Sequence, residues 1–202
     1  RLVDFSNTLK LLEEEFRDIE DSREIIMGVL QAAGSYYQAD RVYVLEMDVE
    51  LQIGINTYEW CSEHTPEAIV HSQWIPLELI PRLEQYLKKN KPMIIENISD
   101  IQENYPQEYS ELLSQGITSM IAAPFSKRIN RGFIVVDNPG RYGTDPSMLL
   151  LFQYVIVLEL NEIKQQRALS MANKRVSQLR SKDVYINMFG KFEVISAQGI
   201  LN

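Results

Sequence analysis

The cysteine and the two histidines of this chain lie close together in the sequence. Cys61, His64 and His71 follow an apolar segment and are accompanied by Glu63 and Glu67. These residue types can ligate metals, but the Cys-x2-His-x6-His spacing matches no standard zinc or iron pattern. We therefore expect the histidines to lie on a surface loop, and we predict no metal site.

Catalytic motifs are absent from the sequence. Nucleophilic catalysis needs a serine or cysteine held by a base and an orienting group, yet there is no G-x-S-x-G elbow. The G-x-x-x-x-G-K-[ST] and G-x-G-x-x-G phosphate-binding patterns are also missing, and the glycine-rich element at 140–143 is typical of a turn. No carboxylate pair stands isolated in an apolar setting suited to acid–base work. We predict that the chain is not an enzyme.

Four large aromatic residues are the remaining candidates for a binding site. Tyr58 and Trp60 fall in a predicted strand, whereas Trp74 and Tyr105 fall in irregular connections. Aromatic side chains line many concave, mostly apolar ligand pockets. We predict that these four residues approach a shared cavity; the alternative is that they are ordinary core and surface aromatics.

The composition of the 202 residues is that of a globular protein, with 45% apolar and 24% charged residues. Lys and Arg number 20 against 28 Asp and Glu, and the net charge of −8 argues against binding to nucleic-acid phosphates. The densest apolar segment, 148–160, is shorter than the roughly 20 residues that a membrane helix needs. We expect a cytoplasmic protein that does not contact a membrane.

The spacing of apolar residues predicts both strands and helices. Asp21 and Ser22 can cap a helix whose apolar stripe is wide enough to pack on a sheet. Pro92 opens a short strand, which is typical of a sheet edge, and a long helix begins at 145–146. The predicted strands are 41–47, 52–63, 92–96, 118–127, 131–136 and a hairpin within 184–198, and further helices are predicted at 77–90 and 108–115.

Both ends of the chain carry a heptad pattern of apolar residues. In one subunit the two stripes could cover only each other, whereas two copies could bury both in a four-helix bundle. We therefore predict a homodimer held by the terminal helices; the rival is an intramolecular helix pair. The stripes comprise Leu2, Phe5, Leu9, Leu12, Phe16 and Ile19, and then Leu169, Ala172, Val176 and Leu179, while Leu151, Val155 and Leu158 are expected to face the sheet.

The order of these elements and several local motifs resemble GAF domains. The motifs are ADRVYV at 39–44, SMIAAPF at 119–125 and RGFIVVDNP at 131–139, and the resemblance covers about residues 20–165. It implies an α+β fold with an antiparallel sheet of five to six strands and long terminal helices. Helices would pack on one face of the sheet, with crossover loops and short helices on the other, and a small ligand would lie between sheet and crossover.

The resemblance favours none of the known ligand classes of this family. Members that bind cyclic nucleotides carry F-x3-D-E; here Phe133 and Asp137 match, but Asn138 replaces the glutamate. Members that bind bilins attach them through a cysteine often followed by histidine, whereas Cys61 precedes Ser62. Members that reduce free methionine sulfoxide use several cysteines. The identity of a ligand or cofactor therefore stays open.

The C-terminal segment resembles the opening strands of winged-helix domains in bacterial transcriptional activators, at 184–194 and 199–201. The chain ends at Asn202, before a recognition helix, so we expect no nucleic-acid binding by this fragment, with DNA reached only through the output domain. The expected organisation is an amphipathic dimerisation helix at 1–20, a GAF domain at 21–165, a linker helix at 166–183 and the start of an output domain at 184–202.

These observations lead to one functional hypothesis with two alternatives. The chain is predicted to be a non-catalytic sensory GAF domain of a bacterial signalling protein. It would bind a small molecule, dimerise or do both, and relay the signal to a transcriptional output domain. The alternatives are a regulatory GAF domain of a cyclic-di-GMP cyclase or phosphodiesterase, and a structural dimerisation module without a ligand.

Overall fold

The computed structural model of the chain divides into two compact units, Arg1–Leu160 and Asn161–Asn202. The structure describes residues 6–8, 10, 14, 19–48, 50–68, 74–127, 130–180, 184–187, 193–196 and 199–201. Most of the heptad residues predicted at the N-terminus lie outside these described residues, namely Leu2, Phe5, Leu9, Leu12 and Phe16, and so does His71.

A six-stranded antiparallel sheet forms the centre of the first unit, in the order β3-β2-β1-β6-β5-β4. The edge strands β3 and β4 are the shortest, with Pro76 in the former and Pro92 directly before the latter. The predicted edge position of the strand after Pro92 is therefore confirmed. The strands are β1 (Arg41–Asp48), β2 (Ile53–Cys61), β3 (Ile75–Pro76), β4 (Met93–Ile95), β5 (Met120–Lys127) and β6 (Asn130–Asp137).

Helix α1 (Ser22–Tyr37) packs on one face of this sheet. It begins where the side chain of Asp21 accepts a hydrogen bond of 2.8 Å from the backbone N–H of Arg23, which confirms the predicted cap. It ends at Gln38, whose backbone is left-handed with φ 51°. The apolar stripe predicted for this helix is buried and includes Ile26, Val29, Leu30 and Ala33.

The crossover segments cover the core on the other face. They are a 3-10 turn (Leu77–Leu79), helix α2 (Pro81–Lys89), a second 3-10 turn (Ile98–Ile101) and helix α3 (Pro106–Ser114). The single helix predicted at 77–90 is wrong, because the chain is interrupted at Ile80 (φ −129°, ψ 50°). A proline disfavours helical backbone at the residue that precedes it, so Ile80 leaves the helical conformation. Pro81 then opens a new helix.

Helix α4 (Ser147–Arg180) begins beside α1. The hydroxyl of Tyr37 donates to the backbone oxygen of Asp145 (2.9 Å) and accepts from the N–H of Leu149 (3.1 Å). The expectation that Leu151, Val155 and Leu158 face the sheet is wrong for Leu151 and Leu158, which are exposed, Leu158 by 59%, whereas Val155 is half-buried. The segment is apolar around much of its circumference, so periodicity alone did not identify its buried side. The buried residues are Met148, Leu149, Phe152, Ile156, Val157 and Leu160.

The second unit contains the rest of α4 and a three-stranded antiparallel sheet. Its strands β7 (Val184–Asn187) and β8 (Glu193–Ser196) form the predicted hairpin, and β9 (Gly199–Leu201) pairs with β8. Within the described part of the chain, no helix combines the length and apolarity needed to span a membrane.

Candidate ligand-binding site

Two of the four predicted site aromatics, Tyr58 and Trp60, lie on the α1 side of the sheet. Across β1 and β2, Val44 pairs with Tyr58 and Val42 pairs with Trp60. Directly paired residues share a sheet face. The ring of Trp60 lies against Gly34 of α1, at a position where a Cβ atom would overlap it. These two aromatics therefore pack under the helix.

The other two aromatics are separated from this pair. Trp74 is 64% exposed. Tyr105 packs against the crossover core and lies under the guanidinium of Arg82, whose Cζ is 5.4 Å from the ring centroid. The structure does not bring the four residues to one cavity, and none of them lines the cavity described below. Contact of any of them with a ligand stays a prediction.

A β-bulge directs two polar side chains of β2 to the crossover face. The register shifts between Val44 and Leu45, so that Thr57 is an extra residue in β2. As a result, Asn56 and Glu59 both reach the same face although they are three positions apart, which in a regular strand would place them on opposite faces. The amide Nδ2 of Asn56 donates to Oε2 of Glu59 at 2.7 Å, and Oε1 of Glu59 accepts from the backbone N–H of Ala68 at 2.7 Å.

A small cavity lies where these side chains meet the crossover helices. Its volume is about 30 Å³, which corresponds to roughly one water molecule. A groove of about 710 Å³ adjoins it and opens outward. The cavity walls include apolar side chains from β1 and α2, such as Leu45 and Leu83, and polar side chains from α3. Cavity and groove share Arg41, Ala68, Glu111, Gln115 and Ile117.

A buried ion pair joins the first and last strands of the site. Nε and Nη2 of Arg41 lie 2.8 Å and 2.7 Å from Oδ2 of Asp137, and both residues are almost completely buried. Nη2 of Arg41 also donates to Oε1 of Gln115 at 3.4 Å. Burial raises the pKa of Asp137 to about 6, although the nearby Arg41 opposes the shift. Desolvation thus outweighs the attraction within the pair.

Asn138, the residue after Asp137, joins neighbouring segments of the chain through its side chain. Its backbone is left-handed, with φ 50°. Its Oδ1 accepts from the N–H groups of Thr118 (2.7 Å) and Ser119 (3.2 Å), while Nδ2 donates to Oδ2 of Asp40 (2.8 Å) and to the backbone oxygen of Gly116 (2.9 Å). Asn138 therefore links the segment at 116–119 to Asp40 along the groove.

Helix α3 supplies a buried carboxylate to the cavity. Glu108 is 2% exposed, and its Oε1 lies 3.8 Å from Nη1 of Arg82. Burial raises the pKa of Glu108, and the charge of Arg82 opposes the shift. Glu111 and Gln115 follow on the same helical face and are joined by a hydrogen bond of 2.9 Å.

Several buried oxygens of the site have no hydrogen-bond partner among the described residues. They are Oδ1 of Asn56, Oε2 of Glu108 and Oδ1 of Asp137. Leaving a buried polar atom without a partner costs about 1–3 kcal/mol. Asn56 and Glu108 line the cavity and Asp137 lines the groove, and a buried polar group without a partner calls for a specific explanation.

The cysteine is half-buried and the described histidine is exposed. The thiol of Cys61 donates towards Oε1 of Glu59 (3.6 Å), and burial, with the charge of Glu59, raises its pKa to about 12. A thiol with that pKa is protonated at neutral pH and is a poor nucleophile. His64 is exposed at the rim of the groove. Among the described residues, no group of three potential ligands is arranged to hold a metal ion.

The polar residues that line the cavity were not selected from the sequence, whereas Asp137 and Asn138, named in the F-x3-D-E comparison, line the groove. Glu108, Glu111 and Gln115 follow an i, i+3, i+7 spacing, and this signal alone could have assigned them to one helix face. No comparable signal exists for Asn56 and Glu59, because an ideal strand would place them on opposite faces. Their common direction depends on the bulge at Thr57.

Solved structures that resemble this chain include domains that bind bilin chromophores. A phycocyanobilin-bound GAF domain from a cyanobacterial phytochrome is 17% identical, with a TM-score of 0.58 over 82% of this chain and 96% of that chain. The chromophore-binding domain of a bacteriophytochrome from R. palustris is 12% identical, with a TM-score of 0.64 over 82% of this chain and 63% of that chain. A far-red absorbing protein with bound biliverdin IXa gives 15% identity and a TM-score of 0.60, over 78% of this chain and 98% of that chain.

The structural similarity shows that the first unit has the GAF fold, and it confirms the predicted α+β class. No protein-family model and no curated protein matches this sequence.

Proposed function

We propose that this chain is a sensory domain that binds a small molecule in the cavity and adjoining groove. The observation that carries the proposal is a cavity that adjoins an open groove, with the buried polar residues Asn56 and Glu108 lining the cavity and Asp137 lining the groove. An apolar cavity with a few convergent polar groups is the usual form of a ligand site. We further propose that the domain performs no catalysis, since a nucleophile held by a base is missing from the described site.

The ligand of this site differs from those bound by the similar structures. A covalently attached bilin needs a reactive thiol, whereas the pKa of Cys61 near 12 keeps that thiol protonated. A cyclic nucleotide carries a phosphate, whereas Arg41, whose guanidinium is the one that lines the site among the described residues, is already engaged by Asp137. The described site therefore lacks the groups that would hold a bilin or a cyclic nucleotide.

The connection from β6 to α4 offers a route for the signal. Asp137 is the last residue of β6, and α4 begins at Ser147 after a short loop. Tyr37 of α1 holds both sides of the junction through Asp145 and Leu149. A ligand that changes the position of Asp137 would therefore act on the start of the long helix.

We propose that α4 relays this change through a homodimer to a C-terminal transcriptional output domain of winged-helix type. Exposed apolar residues lie seven positions apart within each unit of α4, Leu151 and Leu158 in the first and Leu169 and Val176 in the second. The exposure of Leu151 and Leu158 lengthens the apolar pattern available for pairing. The alternatives, a regulatory domain of a cyclic-di-GMP enzyme and a structural module without ligand, predict different results below.

A thermal-shift screen of the full 202-residue chain against a library of metabolites tests the proposal. A ligand at 100 times its Kd stabilises the native state by about 2.7 kcal/mol, which is readily measured. The expected result is at least one compound whose stabilisation is lost in Glu108→Gln and retained in the exposed control Glu103→Gln. Stabilisation by cyclic-di-GMP would favour the enzyme-linked alternative. If no compound in the library stabilises the chain, the structural module is favoured.

A further inference from the structure

Glu108 joins the two crossover helices that contribute to the wall of the cavity. It lies in the first turn of α3 and is 2% exposed. A backbone hydrogen bond from Arg82, in the first turn of α2, reaches its carboxylate. Since Ile80 provides no side-chain cap for α2, a carboxylate from another helix takes that role. Ile80 and Leu83 of α2 and Leu112 of α3 line the cavity, so a contact that fixes both helices also fixes this wall.

The side chains of Glu108 and Arg82 form an imperfect ion pair. Nη1 of Arg82 lies 3.8 Å from Oε1 of Glu108, which is longer than a charge-assisted hydrogen bond of about 2.7–2.9 Å. The same Nη1 and the Oε2 of Glu108 are buried and have no hydrogen-bond partner among the described residues. A buried ion pair offsets the loss of water only when its geometry is good and its other polar atoms are bonded. The ionised pair therefore destabilises the closed arrangement of the two helices.

The two charges differ in how much they depend on each other. The side chain of Arg82 is 13% exposed, and its guanidinium lies over the ring of Tyr105, with Cζ 5.4 Å from the centroid. Such a contact is favourable for a cation. Glu108 is more deeply buried, and Arg82 is the one cation that acts on it among the described residues. The charge of Arg82 is thus accommodated without Glu108, whereas the charge of Glu108 needs Arg82.

Burial also raises the pKa of Glu108 above its ordinary value of 4.5, while the charge and the backbone hydrogen bond of Arg82 oppose the shift. Separation of the helices would return the carboxylate to water and to its ordinary pKa. The closed arrangement is therefore favoured as the pH falls through the raised pKa, and weakened as the pH rises through it. The other ionisable groups on the surrounding elements are Glu78, Glu84, Asp100, Tyr105, Tyr109 and Glu111 in the crossover, and Tyr43 and Glu59 in the sheet.

We propose that Glu108 and Arg82 form a proton-dependent latch between α2 and α3. When Glu108 is neutral the two helices close over the cavity, and when it is ionised they separate more readily. Access to the cavity therefore decreases as the medium becomes more acidic. This inference goes beyond the proposed function, since the latch acts with or without a ligand.

Hydrogen exchange of the full chain, followed by mass spectrometry of its peptides, tests the latch. Peptides from α2 and α3 should exchange faster than those from α1, which distinguishes local opening from global unfolding. After correction for the intrinsic rate at each pH, their protection should rise at least about threefold between about pH 7.5 and about pH 4.5. Glu108→Gln should give the higher protection at both pH values, whereas the exposed control Glu103→Gln should behave as wild type.

Arg82→Gln supplies the opposite change. The ionised carboxylate then loses its cationic partner, so the protection of α2 and α3 at about pH 7.5 should fall at least about tenfold. The double variant Arg82→Gln/Glu108→Gln should recover this protection, because neither charge of the pair remains. Circular dichroism checks that each variant is folded.

The latch would be overturned if the protection of α2 and α3 stays level or falls towards acid pH, or if these helices exchange no faster than α1. Lower protection in Glu108→Gln at about pH 7.5 would show that attraction to Arg82 exceeds desolvation, and a double variant without recovery would show that Arg82 acts independently of Glu108. Because the wild-type comparison across pH needs no variant, the test holds even if a variant does not fold. A ligand found by the thermal-shift screen alongside any of these results leaves the sensor proposal intact.

Discussion

Replacing Asp137 with asparagine tests whether the buried ion pair of the site costs stability at neutral pH. Burial raises the pKa of Asp137 from 3.8 to about 6. Arg41 opposes this shift through its charge and its hydrogen bond, whereas the carboxylates of Glu59 and Asp40 add to it. Tyr43, the neighbour of Arg41 on the same face of β1, also interacts electrostatically with Asp137.

The sign of the pH dependence follows from the direction of this shift. A native pKa above the unfolded one means that the native state binds more protons between the two values. Asp137 therefore stabilises the fold in acid, and this contribution is lost as the pH rises through about 6. With ~1.4 kcal/mol per pKa unit, the contribution falls by about 2 kcal/mol between about pH 4.5 and about pH 7.5.

Asparagine keeps the shape of the side chain but does not titrate. The free energy of unfolding of Asp137→Asn, minus that of wild type, should therefore rise by about 2 kcal/mol over the same pH range. Urea denaturation followed by circular dichroism at several pH values measures this difference. The exposed Asp100→Asn variant controls for the loss of a surface carboxylate. A difference that falls with pH would show that attraction to Arg41 exceeds desolvation, and the reasoning would be refuted.

Three further predictions concern the rest of the molecule. Val176→Glu should lower the mass measured by light scattering from about 47 kDa, twice the 23.4 kDa of one chain, to that of the monomer; the neighbouring Ser177→Glu should not, and a monomeric wild type would reject the dimer. Gly132→Ala should destabilise the fold by several kcal/mol in urea denaturation, because its Cβ would overlap the carbonyl oxygen of Leu45; wild-type stability would contradict that overlap. The chain should not bind duplex DNA in about 150 mM salt, because its net charge is −8; submicromolar affinity in a gel-shift assay would contradict this.

The elements of the first unit could be predicted because their signals are local. Asp21 marks the start of α1, and the strands between 41 and 136 follow β-branched and aromatic runs with turn residues between them. Edge placement followed from Pro92, which cannot donate to a neighbouring strand. Each of these rules depends on a few consecutive residues, so a single sequence is enough to apply it.

The candidate site could not be predicted because it depends on contacts between distant segments. The bulge at Thr57 reverses the direction that alternation assigns to Asn56. The aromatics were selected for size and position, but Gly34 of α1, 26 residues before Trp60, provides the space that takes its ring. Periodicity does not reveal such pairings between elements, and neither does it choose between two apolar sides of one helix.

The short edge strands limit how this chain can associate with other chains. An exposed strand edge offers unpaired N–H and C=O groups on which a further strand, or a growing fibril, can form. In this sheet one edge has two residues, of which Pro76 lacks an N–H, and the other has three residues preceded by Pro92. Extension of the sheet across a subunit boundary is therefore disfavoured at both ends. Side-by-side aggregation through this six-stranded sheet is disfavoured by the same feature.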